Sequence, residues 1–176
     1  VFASGSINQT KTDSYTYTKH AFLLKKVSRY SSGYQTSIDE VKESDLTDGK
    51  LYYELEIKPA ERNLNDTFTV KDKLPEGAVY VEDSFNASPT TLNQMSVSED
   101  GRTLTFTIPK EVYVNEDGSY KHDVLYIHYA IQISNANISG SQQELVYFTN
   151  TATSGEDKAS VTVPVLFEEK EIEEDD

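Results

Sequence analysis

Cysteine is absent from the 176 residues, and so is tryptophan. Without thiols the chain can form no disulfide and present no thiolate nucleophile, and sulfur-based metal sites are excluded. The three histidines, at positions 20, 122 and 128, are too few and too scattered for an imidazole metal cluster. No metal or other cofactor is therefore expected. Apolar residues make up only 36% of the chain, and no apolar run approaches the roughly 20 residues that span a bilayer, so no membrane insertion is expected of this segment. Cationic charge is scarce as well: 16 Lys and Arg stand against 30 Asp and Glu, a net charge of −14. A surface that negative repels phosphate backbones and anionic lipid, which argues against nucleic-acid and membrane-surface partners.

Aromatic and β-branched residues are plentiful. Twelve tyrosines and seven phenylalanines, β-branched residues throughout and recurrent Asp-Gly turns favour an all-β protein. Residues 1–13 are small and polar without a period and read as a flexible N-terminal segment or part of a preceding module. From Ser14 the pattern changes, and strands are expected over Ala21–Val27, Leu51–Ile57, Phe68–Leu74, Val79–Phe85, Met95–Val97, Leu104–Ile108, Val112–Val114, Val124–Ile133, Leu145–Thr153 and Ala159–Phe167. Ser37 and Glu40 have capping-box spacing, which marks a helical turn over Ser37–Ser44. Asn115-Glu116-Asp117-Gly118 lacks the distal bidentate Glu of a calcium loop and reads as a plain turn. Roughly nine strands at short spacing indicate an immunoglobulin-like Greek-key sandwich of two antiparallel sheets over residues 14–167. Residues 168–176 are almost purely acidic and read as a tail or linker.

One residue breaks the pattern. In Phe68-Thr69-Val70-Lys71-Asp72-Lys73-Leu74-Pro75-Glu76-Gly77, alternation puts Phe68, Val70 and Asp72 on one face. If that is the core face, Asp72 is a carboxyl group carried into apolar surroundings, where it must be paired, hydrogen-bonded or protonated. A candidate partner lies in Leu23-Leu24-Lys25-Lys26-Val27, since strand geometry turns one of the two lysines inward and the other out.

These strings, taken in order with Tyr53-x-Leu55-x-Ile57 and Asn150-Thr151-Ala152, resemble the Asp-assisted, collagen-adhesin-A-like isopeptide-forming domains of Gram-positive pilins and surface adhesins. The resemblance covers about Phe22 to Val165, and the Glu-x-x-Ala-Pro-x-Gly-Tyr string of the Glu-using sister class is absent. It implies a spontaneous amide bond between a first-strand lysine and a last-strand asparagine, promoted by a buried acid. Asp72 matches the acid and Asn150 the asparagine. Lys25 matches the lysine of the family's Lys-x-Val string, and a register slip of one would select Lys26.

The chemistry asks for these residue types. A lysine is a nucleophile only when deprotonated, which burial favours. A carboxamide is a poor electrophile whose carbonyl needs a donor, and a protonated Asp can supply one and then pass a proton to the departing ammonia. The implied protein is not a turnover enzyme. It is a stalk domain of a bacterial cell-surface pilin or adhesin, extracellular, cut from a longer chain and partnered by neighbouring domains or pilin subunits.

Two other functions are compatible with the residues. A carbohydrate- or host-protein-binding sandwich without a crosslink would use exposed tyrosines such as Tyr113, Tyr120, Tyr126 and Tyr129. A hydrolase would need a second core acid beside Asp72, and the remaining acids fall in turns or on wet faces.

Overall fold

The computed structural model describes residues 21–134 and 144–168. The readings made for residues 1–13 and for 169–176 lie outside the described residues. Among the described residues eleven strands form: β1 Leu23–Ser28, β2 Val41–Lys42, β3 Lys50–Ile57, β4 Phe68–Lys73, β5 Ala78–Tyr80, β6 Asn86–Ser88, β7 Gln94–Val97, β8 Thr103–Ile108, β9 Leu125–Ile133, β10 Glu144–Ser154 and β11 Asp157–Phe167. One sheet runs β1-β3-β9-β5, with β6 also paired to β9; the other runs β2-β11-β10-β4-β8-β7. The molecule is an all-β, immunoglobulin-like sandwich, and its core lies between the two sheets.

Alternation accounts for the long strands. On β3, Leu51, Tyr53, Leu55 and Ile57 are buried, while Glu54 and Glu56 face outward. On β9, Leu125, Ile127, Tyr129 and Ile131 fill the same layer. The opposite wall is Val70 of β4, Leu104, Phe106 and Ile108 of β8, Phe148 and Ala152 of β10, and Val161, Val163 and Val165 of β11. Such burial is worth about 1.5–3 kcal/mol for each large apolar side chain. The outward positions of β4, β8, β10 and β11 are largely Thr, Ser and Lys, a polar face toward water.

Short and irregular pieces depart from the sequence reading. Two strands beyond the expected set, β2 and β6, are two and three residues long and too short to show a period. β2 runs parallel to β11, so the second sheet is mixed rather than purely antiparallel. No helical turn forms at Ser37; the chain stays irregular to Glu40, and a 3-10 turn follows at Glu43–Asp45.

The expected strand over Val79–Phe85 stops at Tyr80. Asp83 adopts a left-handed φ of 65°, and the Ser84 hydroxyl donates to the Val81 carbonyl at 2.6 Å and accepts the Ala130 N–H at 3.0 Å. That hydroxyl substitutes for the ladder. The expected strand at Val112–Val114 is instead a 3-10 turn after Pro109, with Val114 bridged to Tyr120. Asn115–Gly118 is a hydrogen-bonded turn, in which the Asp117 carboxylate accepts the Ser119 N–H at 2.9 Å.

Gly49, at a left-handed φ of 69°, carries the chain into β3, and a Cβ there would lie 3.1 Å from the Ile133 carbonyl oxygen. Gly49→Ala is expected to lower the unfolding free energy by about 1–3 kcal/mol. A denaturant titration reads this directly, and an unchanged midpoint would contradict it.

Candidate functional site

Five polar side chains meet in the middle of the sandwich. The first sheet contributes Lys25 from β1, Tyr53 from β3 and Tyr129 from β9; the second contributes Asp72 from β4 and Asn150 from β10. Each sits on the inward parity of its strand, in register with apolar neighbours. Lys25 faces Leu55, Tyr53 lies between Val27 and Tyr129, Asp72 lies between Leu104 and Ala152, and Asn150 faces Val161. Lys25 is 2% exposed, and Asp72 and Asn150 are fully enclosed. Lys26 has the opposite parity: its ammonium pairs with Glu56 at 3.2 Å on the outer face. Of the two candidate lysines, only Lys25 reaches the cluster.

The hydroxyl of Tyr129 is the hub. Lys25 Nζ donates to Asp72 Oδ2 at 2.5 Å and to the Tyr129 oxygen at 2.7 Å. The Tyr129 O–H donates to the same Asp72 Oδ2 at 2.5 Å, and Asn150 Nδ2 donates to the Tyr129 oxygen at 3.0 Å. One phenolic oxygen thus separates the amine from the carboxamide. The rings of Tyr53 and Tyr129 stack at 5.6 Å, and Lys25 Nζ lies 5.0 and 5.2 Å from their centroids, a geometry in which each aromatic face attracts the amine.

Three oxygens of the cluster lack full hydrogen bonding. Asp72 Oδ1 and Asn150 Oδ1 are buried without a hydrogen-bond partner, and the buried Tyr53 hydroxyl, although Asn150 acts on it, meets no partner at full hydrogen-bond geometry. Native interiors satisfy most such groups, so a cluster that leaves them unsatisfied is a candidate for function rather than for stability.

Burial sets the proton affinities. Desolvation holds the Lys25 amine below the ordinary lysine value, opposed by the Asp72 charge and hydrogen bond. Desolvation, then the Asp72 charge, pushes the Tyr129 phenol well above its ordinary value. Chemically, the arrangement offers an amine inclined to lose its proton, an acid in direct contact to receive it, and a carboxamide one hydroxyl away.

The sequence reading assigned neither Tyr53 nor Tyr129 to the site, and it counted Tyr129 among the exposed tyrosines of a binding surface. A signal was present, because a phenol on a core face needs a partner for its hydroxyl. Asn150 also lies on the penultimate strand, not the last; β11 follows it through a two-residue turn at Gly155-Glu156. Lys25 and Asn150 therefore face each other across the sandwich and do not lie on neighbouring strands. The tyrosines considered for a binding platform do not form one: Tyr113 and Tyr129 are buried, and Tyr120 and Tyr126 are half-buried. Asp72 is the one buried carboxylate among the described residues, which leaves a carboxylate-pair hydrolase without its second core acid.

No protein-family model matches the sequence, and no curated protein matches it either. Solved structures do share the fold. The chain is similar to the collagen adhesin of S. aureus, with a TM-score of 0.54 and 14% identity over 85% of this chain and 50% of that one. It is similar to the Enterococcus faecalis surface protein ACE, described as binding its ligands by a collagen hug, with a TM-score of 0.52 and 11% identity over 85% and 52%. A third is the C-terminal domain of the Streptococcus pyogenes antigen I/II-family protein AspA, at 0.51 and 12% over 83% and 46%. The chain spans about half the length of these structures, and at such identities the likeness is one of fold.

Lys25's lowered proton affinity makes stability depend on pH with a definite sign. In an Asn150→Ala variant the amine stays free. Between its lowered folded value and the ordinary 10.5, the unfolded chain binds more protons than the folded one, so stability rises with pH. Below that window the burial penalty is fully present. The buried phenols act in the opposite sense above their ordinary value of about 10. The denaturation midpoint of Asn150→Ala should therefore climb with mildly alkaline pH up to about 10, and a flat or falling midpoint would contradict the assignment.

Proposed function

We propose that this chain is a structural module of a bacterial cell-surface adhesin or pilin, stapled by an amide bond between Lys25 Nζ and Asn150 Cγ that forms spontaneously with Asp72 as acid–base partner. The observation that carries this reading is the convergence, among the described residues, of one buried amine, one buried carboxyl and one buried carboxamide on a single hydroxyl, across the two sheets of the sandwich. The likeness in fold to surface adhesins supports the setting. It also supports an extracellular location, with neighbouring domains, pilin subunits or a host surface protein as partners.

The steps follow from the contacts. Lys25 passes a proton to Asp72 and becomes a neutral nucleophile. Holding it beside Asn150 supplies the proximity that an intermolecular reaction lacks. The acid then polarises the carboxamide, nitrogen replaces nitrogen at Cγ, and ammonia leaves. The process consumes its own reactants and occurs once per molecule, so it is self-modification and not turnover. A bond at these positions closes most of the domain into one loop and stabilises it by restricting the unfolded chain, by an amount on the order of 4 kcal/mol.

Intact mass of the denatured protein tests the proposal. The expected mass is that of the sequence less one ammonia, with the loss abolished in Lys25→Met, Asp72→Ala and Asn150→Ala. A wild-type mass equal to the unmodified sequence would remove the crosslink from the reading. The uncrosslinked Asn150→Ala protein should also unfold at lower denaturant concentration than wild type, by several kcal/mol.

A further inference from the structure

The geometry points to Tyr129 as a catalytic proton relay for this crosslink, its hydroxyl carrying a proton from the attacking amine to the departing carboxamide nitrogen. The inference rests on the crosslink reading and adds to it a residue that the Lys, Asp and Asn pattern does not contain. Three contacts carry it. The Tyr129 oxygen accepts from the nucleophile Lys25 Nζ at 2.7 Å, accepts from the leaving group Asn150 Nδ2 at 3.0 Å, and donates to Asp72 Oδ2 at 2.5 Å. Among the described residues it is the one group hydrogen-bonded to all three reacting side chains, and it is 1% exposed. With nucleophile, acid and leaving group equally enclosed, protons have to be handed on within the cluster.

The proton count shows where a relay is needed. Lys25 first gives one proton to Asp72 through their direct contact, which neutralises both groups. Nζ then bonds to Asn150 Cγ while the carbonyl electron pair moves onto Oδ1. To become an amide nitrogen Nζ must lose a second proton, and to leave as ammonia Nδ2 must gain one. The Tyr129 oxygen takes the first as its own proton moves to Nδ2, the Cγ–Nδ2 bond breaks, and the carbonyl re-forms. One proton stays on the new amide, one on Asp72, and Tyr129 ends as it began.

The order of events follows from the same contacts. While Asp72 is a carboxylate, it holds the Tyr129 O–H. Once Oδ2 has taken the lysine proton, that O–H loses its acceptor and is free to turn to Nδ2, whose lone pair appears only when the carboxamide becomes tetrahedral. A phenol buried and beside an acid resists becoming a phenolate, so giving and taking are coupled in one step.

The test follows ammonia loss over time by intact mass on freshly synthesised, folded protein. Tyr129→Phe keeps the ring that stacks on Tyr53 and packs against Phe106 and removes only the relay. It should slow the loss at least about a hundredfold. Tyr113→Phe removes a buried hydroxyl that donates to the Asp66 carbonyl, outside the cluster, and should react at the wild-type rate. Incorporation of 3-fluorotyrosine at position 129 keeps the hydroxyl and makes it more acidic, so the rate should change while the fold does not. This arm also stands if Tyr129→Phe fails to fold. Wild-type ammonia loss with an unchanged rate in folded Tyr129→Phe, or in the fluorotyrosine protein, would overturn the relay and leave the crosslink standing. Absence of the loss in wild type would overturn both.

Discussion

An amine, a carboxyl and a carboxamide withdrawn from water into the space between two sheets are the constraint on which the rest of this structure turns. Each costs several kcal/mol to bury if unpaired, and the Lys25–Asp72 contact recovers that cost only in part, because Asp72 Oδ1 and Asn150 Oδ1 remain without donors. A sandwich of this size could fill the same volume with Leu and Val more cheaply, as replacements of buried ion pairs by apolar residues show in general. The crosslink proposed above would account for the polar set. Conversion to a secondary amide removes an ammonium and a primary amide together and leaves one N–H beside Asp72.

The scaffold meets this constraint by precision rather than by a cavity. All five side chains sit on long, regular strands whose pairing registers are enforced by apolar neighbours on the same face. A shift of one residue in β1 would bring in Lys26 and expel Lys25, along with Leu23 and Val27, to the solvent side. The hydrophobic pattern of the strand thus selects which lysine faces the cluster. The stacked Tyr53 and Tyr129 rings form an aromatic wall beside the amine, and among the described residues every side chain of the cluster comes from a strand.

Much of this was legible in the sequence, and the limits have physical causes. The shared face of Phe68, Val70 and Asp72, the opposite orientations of Lys25 and Lys26, and the buried faces of β3 and β9 all follow from alternation of period two, which is a local property. Short pieces such as β2 and β6 carry too few residues to show a period, and β5 ends early because of a serine hydroxyl that only tertiary contact with Ala130 positions. The hub role of Tyr129 was hidden for a related reason. Inward tyrosines read as filler, and the meeting of three polar partners at one phenolic oxygen depends on how two sheets stack, which no single strand encodes. That Asn150, on a strand followed by one more as the sequence indicates, lies opposite Lys25 and not alongside it likewise depends on how the sheets are assembled.

That opposition has a consequence for how copies of the molecule can meet. Sandwich proteins can exchange a strand or a whole layer with a neighbour when the layers part, and open edges then template further pairing. A covalent tie running from one layer to the other, through the middle of the core and not along an edge, would leave no layer free to be traded. Dimers that form by exchanging a layer would then be closed off by the connectivity of the fold itself, whatever the strength of its non-covalent contacts.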